Sequence, residues 1–264
     1  IADFITAGTL SAERIAANSI AVSKLTGTIE NGDWVIDLEH GTLTLGKVSA
    51  SEITAGELDA SQITVKNLNA DNITTGTLNI ARSCAKHGIK MLYISTDYVF
   101  SGEGDIPFET DSPTMPCNYY GESKLDGEKA VIENCKKHFI VRISWVFGEN
   151  GKNFVKTMIA LGTERSELKV VSDQIGTPTY AADLALAIYK ILMSHQWVEG
   201  IYHYSNEGAC SWYDFTKAIH RIAGIKGCEV KPIPTEDYPT AATRPYYSIL
   251  DKSLIRATYG VETP

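Results

Sequence analysis

The sequence has no long apolar segment and few cysteines. No apolar run approaches the ~20 residues that a membrane-spanning helix needs, so we expect no membrane partner. The five cysteines include no closely spaced pair of the kind that binds zinc, and no secretory signal precedes them. An odd number of cysteines without such a signal favours reduced thiols and a cytoplasmic location. The 264 residues carry a net charge of −8, which argues against non-specific nucleic-acid binding.

Residues 1–78 repeat with a period of five. Such a step advances an α-helix by roughly 500°, so the apolar positions form no stripe, and in a strand an odd step alternates between the faces. The period suits a chain that turns once per repeat, or several chains wound together, stabilised by stacking or oligomerisation. A pair of short amphipathic helices remains the alternative. The apolar positions are Ile5, Leu10, Ile15, Ile20, Leu25, Val48, Ile53, Leu58, Ile63, Leu68, Ile73 and Leu78.

A segment between the two arrays of repeats has the pattern of strands. Trp34 to Leu38 and Thr42 to Leu45 flank the turn Glu39-His40-Gly41, which predicts a hairpin over residues 34–45. With phrases such as Ile53-Thr54-Ala55-Gly56, residues 1–78 resemble the pentad repeats of bacteriophage tail-tip and tail-fibre proteins. The resemblance implies a β-rich structural segment that forms trimers.

A tyrosine and a lysine stand four residues apart in the second part of the chain. Tyr120 and Lys124 lie on one face of a helix predicted near 119–135. A nearby ammonium lowers the pKa of a phenol, and a phenol that titrates near the working pH can exchange a proton with a sugar oxygen. Thr96 follows the apolar run Met91 to Ile94, a predicted buried strand, and its hydroxyl can bond the same oxygen. The alternative is a solvated lysine beside a half-buried tyrosine, because this spacing is common in helices.

Longer motifs surround these residues. Residues from about 78 to 263 resemble the dTDP-4-dehydrorhamnose reductases, a branch of the extended short-chain dehydrogenase/reductase superfamily. The motifs follow the order and spacing of that family. They are Ser95 to Phe100, Tyr120 to Lys124, Arg142 to Gly148, Asn153 to Met158, Asp173 to Thr179, Cys210 to Phe215 and Arg244-Pro245.

The resemblance implies reduction of dTDP-4-dehydro-L-rhamnose to dTDP-L-rhamnose with NADPH or NADH. It makes Tyr120 the general acid, Lys124 the group that holds the nicotinamide ribose, and Thr96 the third catalytic residue. It also implies cofactor contacts by Ser95, Tyr120 and Lys124, and a homodimer through this part of the chain. No residue pattern indicates a metal, magnesium included. The residues implied to contact the dTDP-sugar are Asp97, Tyr98, Trp145, Asn153, Phe154, Lys156 and Arg244.

The Gly-rich turn of that family does not occur in this sequence. In the family a strand, a Gly-rich turn and a helix N-terminus hold the dinucleotide pyrophosphate, whereas Gly41 to Gly46 has the wrong spacing. We therefore expect an incomplete Rossmann-like domain over 79–264 after a pentad-repeat segment over 1–78. Because the Gly-rich turn is missing, we expect little catalysis by the chain alone. The join near Gly76-Thr77-Leu78 has no Pro- or Ser-rich linker, which leads to the hypothesis of a chimera.

Beyond the join, alternating strands and helices predict an α/β fold with a mostly parallel sheet. Two other functions stay open, a tail-fibre-like structural protein and a non-catalytic regulatory relative of the superfamily. Retention of Thr96, Tyr120 and Lys124 weighs against the second. Strands are expected near 90–95, 139–144, 168–171 and 201–204, and helices near 78–87, 119–135, 152–162, 181–194 and 211–223.

Overall fold

The computed structural model describes residues 28–31, 34–37, 42–45, 70–240 and 242–264, with side chains from residue 76 onward. The chain divides into two units, Ile1–Thr64 and Val65–Pro264. The remaining positions of the pentad-repeat segment, 1–27, 32–33, 38–41 and 46–69, lie outside the described residues, and so does the predicted hairpin turn Glu39-His40-Gly41.

In the first unit three short strands form an antiparallel sheet in the order β1-β2-β3. They are β1 (Thr28–Asn31), β2 (Trp34–Asp37) and β3 (Thr42–Leu45). Strands β2 and β3 fall within the segment predicted as a hairpin, with Trp34 opposite Leu45 and Asp37 opposite Thr42.

The second unit alternates strands and helices and has the α/β fold that the sequence predicts. Its helices are α1 (Ala70–Lys86), α2 (Tyr119–Asn134), α3 (Phe154–Glu164), α4 (Ala181–Met193), α5 (Trp212–Ala223) and α6 (Ser253–Tyr259). Its strands are β4 (Met91–Thr96), β5 (His138–Ile143), β6 (Val146–Phe147), β7 (Glu167–Val171), β8 (Ile175–Gly176), β9 (Thr179–Tyr180), β10 (Gly200–Tyr204), β11 (Cys210–Ser211) and β12 (Glu229–Ile233).

Helix α1 crosses the position at which the sequence predicts a domain boundary. It begins at Ala70, so it includes Ile73 and Leu78 of the repeat pattern, whereas the predicted helix starts at 78. Helix α1 packs into the second unit through two buried residues, Thr77 and Ala81. Ala81 packs in a cluster with residues of α2 and β4. The two units divide between Thr64 and Val65 instead of between 78 and 79.

A parallel sheet in the order β10-β5-β4 forms the centre of this unit. Strand β5 lies between the other two and is covered on both faces, and its residues Phe139, Ile140 and Val141 are at most 1% exposed. This explains its nearly continuous apolar sequence. Helices α1 and α2 pack on one face of the sheet, and α4 and α6 pack on the other.

A smaller layer of parallel strands, β7 and β12, packs against α3 and α5. Its buried apolar residues are Met158, Leu168, Val170 and Ile219. The sequence analysis did not predict β12, α6 or the two-residue strands β6, β8, β9 and β11. The four two-residue strands are too short to show a period of their own, and each is paired with a partner distant in sequence. Strand β12 contains Pro232, which argues against a strand in a sequence pattern.

Two glycines allow α2 to lie close to the sheet. A Cβ atom at Gly121 would overlap the carbonyl oxygen of Tyr98, and one at Gly127 would overlap the hydroxyl of Tyr93. Asn118 starts the helix, because its side-chain oxygen accepts a hydrogen bond from the N–H of Gly121 at 2.9 Å. The helix therefore approaches β4 at the level where that strand ends.

A buried ion pair joins α2 to β5. The guanidinium of Arg142 donates to both carboxylate oxygens of Glu128, from Nη2 to Oε2 at 2.7 Å and from Nε to Oε1 at 3.0 Å. The side chains are 3% and 1% exposed. Ser95 of β4 donates its hydroxyl proton to the same carboxylate, and Arg142 also donates to the carbonyl of Thr110. The pair thus connects α2 with two strands of the sheet.

We expect Glu128→Ala to lower the free energy of unfolding by about 3–5 kcal/mol, because Arg142 would keep its charge in the interior without a carboxylate. Urea denaturation would measure the loss. Asp126→Ala is the matched control on the same helix, since Asp126 pairs with Lys129 at the surface, and it should change stability by less than about 1 kcal/mol.

The double variant Glu128→Met/Arg142→Met should recover most of the stability lost in Glu128→Ala, because it buries no charge at all. A loss below about 1 kcal/mol in Glu128→Ala would contradict the assignment of the pair as a buried constraint.

Candidate active site

The carboxyl ends of β4 and β5 and the first turns of α2 border a cavity of about 540 Å³. Parallel strands expose binding groups at this edge of a sheet. The lining includes most of the side chains that the resemblance implies for catalysis and binding. They are Ser95, Thr96, Asp97, Tyr98, Tyr120, Lys124, Trp145 and Arg244.

Thr96 occupies the last position of β4 and begins a short 3-10 helix over Asp97–Val99. Its hydroxyl accepts a hydrogen bond from the N–H of Tyr98 at 3.3 Å and donates to Oδ1 of Asp97 at 2.9 Å. Interaction with the same hydroxyl acts to lower the pKa of the Tyr120 phenol. Thr96 therefore links the end of the strand to the helix that carries the Tyr–Lys pair.

Tyr120 stands in the first turn of α2, with its ring edge-to-face against Tyr98 at a centroid distance of 5.6 Å. Partial desolvation and, to a smaller extent, the charge of Asp97 raise the pKa of Tyr120, while the hydrogen bond with Thr96 opposes the shift. The sequence analysis expected Lys124 to lower this pKa. That expectation is wrong for this structure, where the phenol stays protonated at neutral pH.

Lys124 interacts with β4. Its Nζ donates to the carbonyl oxygen of Ile94 at 2.6 Å and lies 4.3 Å from the ring centroid of Tyr93. Burial lowers the pKa of Lys124, and the nearby carboxylate of Glu128 opposes that shift. These contacts hold the ammonium against β4, and its charge is not among the causes that shift the pKa of Tyr120.

Trp145 has a strained backbone at the rim of the cavity. Its φ is 45°, the one positive value that the described part of the chain shows outside glycine. Its ring stacks on Trp212, with centroids 3.5 Å apart and planes inclined by 8°. A left-handed conformation costs about 1–3 kcal/mol at a bulky residue, and such strain concentrates at functional sites. Both indoles line the cavity.

Three residues that the resemblance implies for substrate binding are not among those that line this cavity. Asn153 caps α3 by accepting from the N–H of Lys156 at 3.2 Å. Phe154 stacks on Phe215 at a centroid distance of 5.6 Å, and the ammonium of Lys156 bonds the carbonyl of Glu149. All three serve the local structure of α3 here, and their contact with a substrate stays a prediction.

Some residues of the cavity are not expected from the sequence motifs alone. Asn118 donates from Nδ2 to the carbonyl of Thr243 at 2.8 Å, which connects the start of α2 to the segment that carries Arg244. Ser144 donates to the carbonyl of Thr177 at 2.7 Å, and Trp212 was quoted only as part of a motif. An asparagine immediately before a predicted helix start is a capping signal that could have identified Asn118.

The lining residues carry polar groups that suit the ribose and phosphate groups of a nucleotide. An ammonium and a phenol, Lys124 and Tyr120, suit ribose hydroxyls, and the exposed guanidinium of Arg244 suits a phosphate. Ser95, however, uses its hydroxyl on Glu128. Within 76–240 and 242–264, no three His, Cys, Asp or Glu side chains cluster in a way that could hold a metal ion. In the same residues no helix combines the length and hydropathy needed to cross a bilayer.

We expect Gly176→Ala to displace the indole pair, because an added Cβ would lie 2.5 Å from Cε2 of Trp145 and 2.7 Å from Oγ of Ser248. Overpacking of this kind costs about 1–3 kcal/mol of folding free energy. The coupled near-ultraviolet circular dichroism of the stacked indoles should weaken. Gly227→Ala is the control, since nothing lies within 4 Å of a Cβ there, and an unchanged spectrum in Gly176→Ala would contradict the packing.

Several known proteins are similar to this chain in sequence. The spore coat polysaccharide biosynthesis protein SpsK of Bacillus subtilis is 46% identical over 168 residues, which cover 64% of this chain and 58% of that protein. The dTDP-4-dehydrorhamnose reductase of Escherichia coli strain K12 is 40% identical over 193 residues, which cover 70% of this chain and 64% of the enzyme. The chain thus spans less than two thirds of the length of either relative.

A crystal structure of dTDP-4-dehydrorhamnose reductase from Bacillus anthracis in complex with NADP superposes with a TM-score of 0.69 at 46% identity. The match covers 72% of this chain and 66% of that one. The model of the RmlD substrate binding domain matches residues 62–264. This chain belongs to the RmlD substrate-binding-domain family.

Proposed function

We propose that this chain carries the catalytic and sugar-nucleotide-binding part of an NADPH- or NADH-dependent dTDP-4-dehydrorhamnose reductase. The reaction would reduce the C4 carbonyl of dTDP-4-dehydro-L-rhamnose to the alcohol of dTDP-L-rhamnose. The observation that supports this function best is the convergence of Thr96, Tyr120, Lys124 and Trp145 on one cavity at the end of the central sheet. Relatives with the same activity in their names support the choice of substrate class.

Tyr120 would donate the proton that the C4 oxygen takes up. The raised pKa of the phenol keeps it protonated at neutral pH, which is the state a general acid needs. Thr96 lines the same cavity as the phenol and can orient the same oxygen. A positioned acid of this kind accelerates a reaction by about 10²–10⁴-fold.

Lys124 and Tyr120 would hold the nicotinamide ribose of the cofactor, which supplies the hydride when bound. Lys124 would have to exchange its hydrogen bond with the Ile94 carbonyl for one with a ribose hydroxyl, or make both, since an ammonium has three donors. The sequence has no Gly-rich turn after a strand for the pyrophosphate, so cofactor affinity is the quantity to measure first.

The remaining groups of the cavity suit the rest of a dTDP-sugar. The indole of Trp145, held by its stack on Trp212, offers an apolar face of the kind that packs against a deoxysugar ring. Arg244 is exposed at the same cavity and can pair with a phosphate. Asp97 and Tyr98 complete the lining between these two and the Tyr–Lys pair.

The other functions and origins that the sequence suggests remain predictions. The tail-fibre reading and its trimer concern residues 1–78, of which the structure describes three short strands and the start of α1. A dimer through the reductase part, a chimeric origin and a non-catalytic regulatory role likewise await measurement. Turnover with NADPH would exclude the regulatory role.

Binding of dTDP and of NADPH to the whole chain tests the proposal directly. We expect calorimetry to detect dTDP binding, and Arg244→Ala to weaken it at least tenfold, because a charge-assisted hydrogen bond contributes about 1.5–3 kcal/mol. Arg221→Ala, an exposed arginine of α5 outside the cavity, should leave the affinity unchanged. Absence of dTDP binding in the parent chain would contradict the proposed function.

We expect Tyr120→Phe to lower kcat by about 10²–10⁴-fold and to leave dTDP affinity unchanged, because the proton donor is lost while the ring stays. Oxidation of NADPH, followed by absorbance with dTDP-4-dehydro-L-rhamnose, is the measurement. Tyr189→Phe removes a phenol from the exposed side of α4 and is the matched control. Equal turnover in Tyr120→Phe and the parent chain would reject the acid role of Tyr120.

A further inference from the structure

Residues 173–176 do not line the cavity, yet they contact the indole pair and the connection that carries Arg244. Gln174 is 4% exposed, and its side-chain oxygen accepts a hydrogen bond from Nε1 of Trp212 at 3.1 Å. The indole of Trp212 in turn stacks on that of Trp145, with ring centroids 3.5 Å apart. Gln174 is therefore separated from the face of Trp145 by one indole ring.

The same amide group also bonds the connection between β12 and α6, on which Arg244 lies. Nε2 of Gln174 donates to the hydroxyl oxygen of Thr235 at 3.1 Å. The carboxylate of Asp173 holds Thr235 as well, because it accepts from the hydroxyl at 2.6 Å and from the backbone N–H at 2.9 Å. One buried side chain thus joins the aromatic wall of the cavity to the start of the connection that carries the arginine.

The backbone of Ile175 holds that connection on the other side of Arg244. The N–H of Ile175 donates to the carbonyl of Tyr246 at 2.7 Å, and the N–H of Ser248 donates to the carbonyl of Ile175 at 2.9 Å. The connection therefore keeps several bonds that do not involve the amide of Gln174. Trp212 differs, because an indole has a single donor and Gln174 is the group that accepts from it.

The neighbours of Gln174 determine which way its amide points. An indole N–H can only donate, so the amide oxygen must face Trp212. The hydroxyl proton of Thr235 goes to Asp173, which leaves a lone pair of that hydroxyl for the amide N–H. A flipped amide would place two N–H groups against each other. The position therefore needs a side chain that has an acceptor and a donor side by side.

We propose that Gln174 is a positioning residue that fixes the indole of Trp212 and, through it, the face of Trp145 on which the sugar ring packs. The binding part of this inference rests on the proposed function. The orientation of Trp212 does not, because it follows from the hydrogen bond and the ring stack alone. A displacement of about 1 Å can cost a binding group much of its contribution, so a residue that never touches the ligand can still set its affinity.

Gln174→Met is the decisive variant, because methionine has a similar unbranched shape and no amide. We expect it to lower the affinity for dTDP-L-rhamnose about fivefold or more and to leave the affinity for dTDP within about twofold, as loss of one hydrogen bond behind the sugar site predicts. The two ligands differ in response because Arg244 keeps the bonds of its connection to Asp173 and Ile175. Calorimetry with the whole chain measures both affinities.

Gln196→Met is the matched control, since Gln196 is exposed and lies outside the residues that line the cavity, and it should change neither affinity. Equal weakening of both ligands in Gln174→Met would overturn the proposal, because a general loss of structure lowers both.

A double-mutant cycle with Trp212→Phe shows whether Gln174 acts through the indole. Phenylalanine keeps an aromatic ring and has no N–H to donate. In the Trp212→Phe background, Gln174→Met should lower the affinity for dTDP-L-rhamnose by less than about twofold, because the bond between the two residues is already absent. Fully additive losses in the cycle would contradict the positioning role.

Nuclear magnetic resonance of the indole N–H groups requires no ligand. The sequence has four tryptophans, and the cross-peak that is missing in Trp212→Phe identifies the N–H of Trp212. We expect Gln174→Met to shift this peak and to accelerate exchange of the proton with solvent, because the N–H loses its acceptor. Gln196→Met should leave the peak in place. An unchanged peak in Gln174→Met would reject the hydrogen bond on which the inference depends.

These readouts distinguish the inference from the proposed function. If the parent chain binds neither dTDP nor dTDP-L-rhamnose, the proposed function fails, and the indole peak still shows whether Gln174 holds Trp212. If dTDP-L-rhamnose binds Gln174→Met as tightly as it binds the parent, the proposed function stands and the positioning role of Gln174 is rejected.

Discussion

The ion pair between Glu128 and Arg142 is the constraint on which the geometry of the cavity depends. It is almost inaccessible to solvent and connects α2 with β5, while Ser95 attaches β4 to the same carboxylate. Tyr120, Lys124 and Glu128 are spaced by four along α2, so they share one face of the helix. Anchoring Glu128 therefore sets the rotation of the helix and the direction of the other two. Buried ion pairs add little net stability, and their value here is geometric.

Close packing of α2 is the second requirement for the geometry of the cavity. Gly121 lets α2 lie against the backbone carbonyl of Tyr98 in the 3-10 helix, and Gly127 lets it lie against the hydroxyl of Tyr93 in β4. These contacts bring the first turn of the helix to the level of Thr96. On the other side of the cavity Trp145 keeps an unfavourable φ and stacks on Trp212. Strain is retained where surrounding contacts over-determine a conformation. The cavity thus combines a rigid wall that carries proton donors with a rigid aromatic wall.

Much of the site could be predicted from local patterns and motifs. The ends of the predicted strands near 90–95 and 139–144 and the helix near 119–135 agree closely with β4, β5 and α2. The motif residues from Ser95 to Tyr98 and at Tyr120, Lys124, Trp145 and Arg244 meet at one cavity. Asn153, Phe154 and Lys156 do not line it, because their side chains complete the cap and the packing of α3. The arginine within the apolar strand β5 was a visible signal of a buried partner that spacing alone could not name.

The sequence by itself determined the α/β order of the elements, the position of the Tyr–Lys pair on one helix and its separation from Thr96, because periodicity and capping act over a few residues. Only the tertiary structure decided the protonation of Tyr120, the contact of Lys124 with the Ile94 carbonyl and the hydrogen bond between Thr96 and Asp97. Those properties depend on desolvation and on partners from other segments. Burial is a property of the packed molecule, and no local pattern encodes how much water a phenol or a carboxyl loses.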